Sequence, residues 1–533
     1  MRWTPKEFLI REINWFKYII IALFFLVFLT NSTFACSCKL FGVTGNVTKD
    51  SITILAKDRD LYWMRKQRIW YSPRTIHDEG EVIEFRHVTI DQADTTYKFI
   101  ATNSIVKNQT TGYGINEYGL AIISHDMDSW DDDSLGSEYF HDQDYVALVL
   151  ARCKNVSEAI DLFDDLILPY GINAETYLIV DPDSLWLMET TGFNYVAKPI
   201  VNDVVSSKYQ RFNIRTEWSD AGNRYNADIL TNAQDHGCSI DPLDFAECFG
   251  NHPPGSCDPD LLALKERGNI VVEDMRVLVR DNADVGTVSA CVIPVRPDKD
   301  ATYCNFMWDS RANPGYENIF LPYWIAINDT ALPEHYTSWP DDDSVCAWNV
   351  FNEIVEDSTL RTIAEPIWQA LQTELYAEFD TVETNMQAYL DSNDLSGLQE
   401  HINNYVYGEL DSAYNLARSI ISSAFVPEEV ADLTVALAGE NIVLEWSAVT
   451  VDTNGYPLEV DCYRVYRDTV VFFDPGAEPF DSTVVLFCVD SSGVVGDTGT
   501  HYYYEVTAVS GGKESGLSRQ VGEFDLGLIN EEK

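Results

Sequence analysis

Positive charge is what this chain has least of. Its 36 Lys and Arg face 85 Asp and Glu, and with only 9 His the formal net charge is −49 over 533 residues. That deficit excludes nucleic acid as a partner, because such binding is built from cations set on phosphates, and it opposes unassisted docking on an anionic lipid surface. The common catalytic signatures are missing too: there is no GxSxG elbow, no phosphate-binding loop, no HExxH helix, no paired CxxC and no internal repeat. What is plentiful is apolar material. Hydrophobic residues make up 46% and aromatics 12%, which is ample for a packed core and excludes a disordered chain. The length exceeds what one core usually holds, so two or more domains are expected. Eleven cysteines are an odd number, which in an exported protein leaves room for one reactive thiol.

The apolar run 18–30 (YIIIALFFLVFLT) follows Arg2, Lys6, Arg11 and Lys17. That layout is a secretory signal peptide over residues 1–35, too short in its apolar part for a comfortable membrane span. It predicts a secreted protein, extracellular or periplasmic, with no stable membrane span once the leader is removed. A cut after Ala35 would place a thiol and a free α-amine on Cys36. An α-amine with a pKa of about 7.7 to 8.0 can take the thiol proton on attack and return it to a leaving amine, so the residue would carry its own base. Cys36 is therefore the candidate nucleophile of an amide hydrolase. It could otherwise be half of a disulfide or a lipid attachment site, although Thr33 stands where a lipobox wants an aliphatic residue. Cys38 is the other cysteine that processing could expose; Cys36 is preferred because a small hydroxyl residue follows it and a single cut suffices.

Downstream, residues 51–56 (SITILA) read as a buried strand ending in Lys57-Asp58-Arg59-Asp60. These charges are either a solvated strand end or a cation and a carboxylate delivered beside the amino-terminal cysteine. Asn116, in the glycine-rich run GYGINEYG, is either turn chemistry or a donor to an oxyanion, a contact whose loss typically costs about 2.7 to 4 kcal/mol. The acidic run from Asp126 to Asp133 lacks EF-hand spacing and reads as a solvated loop. Val156, Ala159, Ile160, Phe163 and Leu166 recur at helical spacing. Residues 177–180 and 185–188 bracket Asp181-Pro182-Asp183-Ser184 as a hairpin. Helices and strands alternate without a regular βαβ rhythm, which favours a layered α/β sandwich over a doubly wound sheet. Cys238, Cys248 and Cys257, near His236 and His252, lack zinc-ligand spacing and read as disulfide material. Residues 358–421 read as long helices. From Val426-Pro427 short alternating runs begin, predicting a small β-sandwich cored by Trp446, Tyr463, Val465, Tyr504 and Val506.

Taken in order, Cys36-Ser37, the run from Asp50 to Asp60, Gly114-Ile115-Asn116-Glu117-Tyr118-Gly119-Leu120, Glu175-Thr176-Tyr177-Leu178-Ile179-Val180-Asp181, Trp186-Leu187-Met188-Glu189 and Tyr195-Val196-Ala197 resemble the dipeptidase A and secernin family of N-terminal nucleophile cysteine hydrolases, the C69-like peptidases. The resemblance implies a four-layer αββα fold over residues 36–425 and a secreted cysteine peptidase or amidase acting on a small peptide or amide, dipeptides first, without metal or organic cofactor. It implies Cys36 as nucleophile and base, Asp60 as the carboxylate that orients the α-amine, Lys57 as the basic residue beside it and Asn116 as the oxyanion donor. Asp58 replaces an asparagine common in the family, and Ser206-Ser207 stands where relatives often carry a second active-site asparagine. Residues 426–525 resemble a fibronectin type III domain. Rival readings are an N-acyl amide hydrolase or acyltransferase of the same fold, or an inactive exported binding protein.

Overall fold

The computed structural model describes residues 38–522 except 61–65, 105–110, 128, 130–134, 208–214, 217–221, 241–242, 250–256, 285, 317, 341–344, 454, 456, 477 and 493–499. The leader, Cys36, most of the acidic run around Trp130, and His252 lie outside the described residues. The chain forms two compact units, Met1–Val355 with Trp368–Asp411, and Glu356–Ile367 with Ser412–Lys533.

The first unit is built on two antiparallel sheets. Its elements in chain order are β1 (Lys39–Val43), β2 (Thr53–Asp60), β3 (Gln67–Ser72), β4 (Phe99–Ser104), β5 (Thr111–Asn116), β6 (Ala121–Asp126), α1 (Asp142–Arg152), α2 (Val156–Leu162), β7 (Ile172–Val180), β8 (Leu185–Gly192), β9 (Asn194–Ile200), β10 (Val204–Ser207), β11 (Arg224–Tyr225), α3 (Val272–Asn282), β12 (Thr287–Val295), β13 (Phe306–Ser310) and β14 (Leu321–Trp324). One sheet has six strands in the order β10-β1-β2-β12-β13-β14; the other has eight, β11-β9-β8-β7-β6-β5-β4-β3. The sheets face each other through β1 and β2 against β6, and β12 and β13 against β5. Helix α1 covers the outer face of the eight-stranded sheet over β5, β6 and β7, while α3 covers the six-stranded sheet over β1, β2 and β12. The result is the four-layer αββα arrangement. Strands sandwiched on both faces lose the usual alternation of apolar and polar residues. β12 (TVSACVIPV) is buried at every position, and β2 stays buried through its four charged residues.

The hairpin foreseen around Asp181 joins β7 to β8, with Val180 opposite Leu185. The Asp181 carboxylate closes the turn, accepting the Asp183 and Ser184 backbone N–H groups at 2.9 and 2.8 Å, and its other oxygen accepts the Val156 N–H at the start of α2. The amphipathic stripe of residues 156–168 is present with one change. After Leu162 the helix widens into a π turn over Phe163–Ile167, so Ile167 rather than Leu166 is buried in the core. An extra residue per turn rotates the following side chains, which periodicity at 3.6 does not anticipate.

Two long helices follow, α4 (Ser358–Asp391) and α5 (Leu395–Ser423), and the division between the units runs through both. The second unit carries a three-stranded and a five-stranded antiparallel sheet. Leu444 from one, Trp446 just beyond its strand, and Tyr463, Val465, Tyr504 and Val506 from the other share one core. Among the described residues no helix is long and apolar enough to cross a membrane.

Candidate active site

The register of β1, β2 and β12 decides what meets at the amino-terminal end of the fold. Lys39 lies opposite Asp58, Asp60 opposite Thr287 and Lys57 opposite Cys291. Cys38, one residue ahead of β1, is thereby carried to the last residue of β2. The Asp60 N–H donates to Cys38 Sγ at 3.3 Å, and the thiol is 3.6 Å from the Asp60 carbonyl oxygen to which it donates. Side chains alternate along β2. Lys57 and Arg59 reach toward the eight-stranded sheet, Lys57 Nζ donating to the Ser124 carbonyl of β6 and Arg59 to Gln67 Oε1 and Gln143 Oε1. Asp58 and Asp60 take the other face. Asp58 accepts the Lys39 N–H and pairs with Lys39 Nζ at 3.7 Å, and Lys39 also donates to the Asn282 carbonyl at the end of α3.

Asp60 is 4% exposed. One carboxylate oxygen accepts the Thr287 hydroxyl at 2.6 Å, and the other is buried with no hydrogen-bond partner. Burial pushes its pKa up to about 6, against the pull of the Thr287 hydroxyl. The Cys38 thiol is raised to about 11, first by burial; the Lys57 ammonium lowers it and the Asp60 carboxylate raises it further. Asp58 is driven well above the ordinary carboxylate range by burial and by neighbouring Asp60. In the uncut chain the thiol is therefore protonated at neutral pH, beside a buried carboxylate with one oxygen unused.

Of the residues singled out from the sequence, Lys57 and Asp60 stand at this site. Cys36 lies outside the described residues, and Cys38 occupies the position against Asp60. Asn116 is placed elsewhere and does a different job. Both its amide protons are donated to carbonyls at the end of α1, Leu150 at 3.0 Å and Cys153 at 2.8 Å, while its oxygen accepts the Tyr118 and Leu120 N–H groups. It faces α1, whereas Tyr113 on the same strand points the opposite way, to Asp309 of the other sheet. Asn116 is thus corrected from oxyanion donor to the clamp of the β5–β6 hairpin. Ser206 is structural as well, accepting the Asp258 N–H at 2.6 Å and donating to Cys257. Cys238 and Cys248 form a disulfide, and Cys257 stays out of it. Thr287 carries no sequence signal for this site, since it lies more than 220 positions from Asp60 and the register of β2 against β12 brings it there.

Residues 35–252 match the family model for peptidase family C69. The matched segment contains Cys36, Cys38, Lys57 and Asp60. Among solved structures, the chain is similar to a mutant of conjugated bile acid hydrolase from Clostridium perfringens (11% identity, 51% of this chain and 89% of that one, TM-score 0.30) and to penicillin V acylase from Agrobacterium tumefaciens (16%, 55% and 87%, TM-score 0.27). An Fn3-like protein from Clostridium thermocellum matches at 25% identity over 18% of this chain and 91% of its own length (TM-score 0.15). These superpositions are poor, and the αββα assignment rests on strand register and packing within this molecule.

Proposed function

We propose that the protein is an exported cysteine hydrolase of small amides, dipeptides first, whose nucleophile becomes active when proteolysis makes it the amino terminus. The observation that carries this reading is the unused, buried oxygen of Asp60 beside Cys38, within a peptidase family C69 segment. A buried carboxylate oxygen without a donor is costly, and a new α-ammonium on Cys38 is the donor it lacks. Cys38 fits the role of nucleophile by position. Cleavage after Ala35 alone would leave Cys36-Ser37 ahead of it, so this reading requires a second cut before Cys38.

In the cut enzyme the neutral α-amine accepts the thiol proton as Sγ attacks the substrate carbonyl carbon. The tetrahedral intermediate expels the amine, which takes that proton from the α-ammonium and leaves a thioester on Cys38. Water then attacks the thioester, the α-amine accepts its proton, and the acid departs as the proton returns to sulfur. Asp60 holds the α-ammonium in place, and Lys57 favours the thiolate. The two-sheet unit fits a fibronectin type III-like spacer or binding module.

The discriminating experiment incubates mature enzyme with a panel of dipeptides and of N-acyl amides and measures released amine. Faster turnover of the dipeptides supports the reading; turnover confined to N-acyl amides moves the substrate class, and no turnover of either removes the hydrolase.

A further inference from the structure

A cavity of about 740 Å³ opens where β8 turns into β9 at Phe193. The π turn after α2 supplies Asp164 to its wall, and the chain just beyond adds Leu168 and Pro169. Another wall is the short helix Ile229–Asp235, with Asp228 before it and His236 after it. The Cys238–Cys248 disulfide ties down the chain directly after that helix. None of Cys38, Lys57 and Asp60 is in the lining. π turns are rare and recur at functional sites, and this one borders the cavity.

Its polar side is a set of interlocked amides. Asn194 and Asn226 are each 2% exposed. Asn194 Oδ1 accepts the Asn226 amide at 3.4 Å and the Asn232 amide at 2.8 Å, while Asn226 Oδ1 accepts the Tyr195 N–H at 3.0 Å. Asn232 thus spends its NH₂ inward, and its Oδ1 is the end left over. Thr231 beside it is exposed, and the Asp228 carboxylate is exposed and does not cap the helix. Phe193 supplies an apolar face. Its ring is partly exposed and held in place by close packing, since a Cβ on Gly171 would lie 2.9 Å from it.

Charge decides the class of ligand. The lining holds no Lys or Arg, so no fixed cation is there to pair with an anion. Asp164 is already compensated, accepting the Tyr195 hydroxyl at 2.7 Å and standing 3.6 Å from Arg224 Nη2. Asp228 is left, and one exposed carboxylate gives little hold on a cation. A neutral ligand rich in hydroxyls fits what remains, because each hydroxyl donates one bond and accepts two. Such groups can donate to Asn232 Oδ1 and Asp228 and exchange bonds with Thr231 and His236. The C–H face of a sugar ring matches the Phe193 ring beside Leu168 and Pro169. We propose that this cavity binds a neutral saccharide, with a sugar ring on Phe193 and its hydroxyls on Asn232, Asp228 and Thr231. The site is separate from the thiol chemistry and stands or falls independently of it.

The test is calorimetric titration of the full-length folded protein with maltotriose, cellotriose, mannotriose and chitotriose, with sorbitol and putrescine in parallel. Sorbitol keeps the hydroxyls without a ring; putrescine is a cation without hydroxyls. At least one trisaccharide should saturate one site per chain with the same affinity at low and high salt, because a neutral ligand is not screened. Neither control should do so. Asn232→Ala and Phe193→Leu should each weaken that binding about fivefold or more. Should Phe193→Leu fail to fold, Asn232→Ala and Asp228→Asn still decide. Absence of saturable binding by all four sugars, equal binding of sorbitol, salt-sensitive binding of putrescine in their place, or unchanged affinity in the variants that fold would overturn the proposal.

Discussion

At the scale of single residues, two carboxamide and carboxylate positions carry opposite expectations. Asn116 makes four hydrogen bonds inside the packed layer between the eight-stranded sheet and α1. Asn116→Ala is expected to destabilise the fold by about 2 to 4 kcal/mol, since buried carbonyls and N–H groups lose their partners, while turnover per folded molecule stays near normal. Thermal unfolding beside active-site-titrated kinetics checks this; an unchanged melting temperature with collapsed turnover would return Asn116 to catalysis. Asp60 should behave in the reverse way. On the proposed mechanism its carboxylate stabilises the α-ammonium of the processed cysteine and so raises the pKa of the amine that acts as base. Asp60→Asn should lower turnover and shift the acidic limb of the kcat/KM profile to lower pH. A lower rate with an unmoved limb would make Asp60 structural only. The sequence showed these residues as a motif without showing direction: the charges closing β2 and the asparagine closing β5 both look like strand-end chemistry until the register assigns each a face.

At the scale of elements, strands and helices were legible wherever periodicity was uninterrupted. The Asp181 hairpin, the long helices of residues 358–423 and the runs of the terminal sandwich match sequence patterns directly. The glycine-rich run around Tyr113 reads from its sequence as a turn that feeds a strand, and it is itself an interior strand, β5. Its glycines serve close packing. A Cβ on Gly114 would lie 2.6 Å from the Ile100 carbonyl oxygen and 2.7 Å from the Leu150 side chain. That proximity lets α1 settle on β5. Gly114→Ala is expected to cost about 1 to 3 kcal/mol through overpacking, read as a lowered melting temperature with little change in KM. A melting temperature equal to that of the parent would show that α1 can shift without penalty.

At the scale of the whole molecule, the acidity predicts how stability depends on pH. Burial raises Asp60 to about 6 and Asp144 to about 7, and burial with neighbouring Glu378 and Glu374 raises Glu409 to about 7. These groups hold protons in the folded chain at pH values where the unfolded chain has released them. Their contribution is complete near the unfolded carboxylate range and is lost as pH rises through about 6 to 7. Repulsion within a chain of net charge −49 acts in the same direction. The uncut protein should therefore melt at a higher temperature at pH 5 than at pH 8; the opposite order would mean that these carboxyls are not buried as described. Composition gave the sign of the charge, whereas the buried carboxyls that convert it into a pH dependence come from the layering.

The central claim is that a cysteine at the amino terminus of the mature chain, placed against Asp60, performs the acyl transfer. It is tested most directly by amino-terminal sequencing of the expressed protein, joined to hydrolysis assays of separately expressed Cys36→Ala and Cys38→Ala with the processing of each determined. The register of β1 against β2 predicts a mature chain beginning at Cys38, activity abolished in Cys38→Ala and retained in correctly processed Cys36→Ala. A mature chain beginning at Cys36, with activity lost in Cys36→Ala and kept in Cys38→Ala, would contradict it.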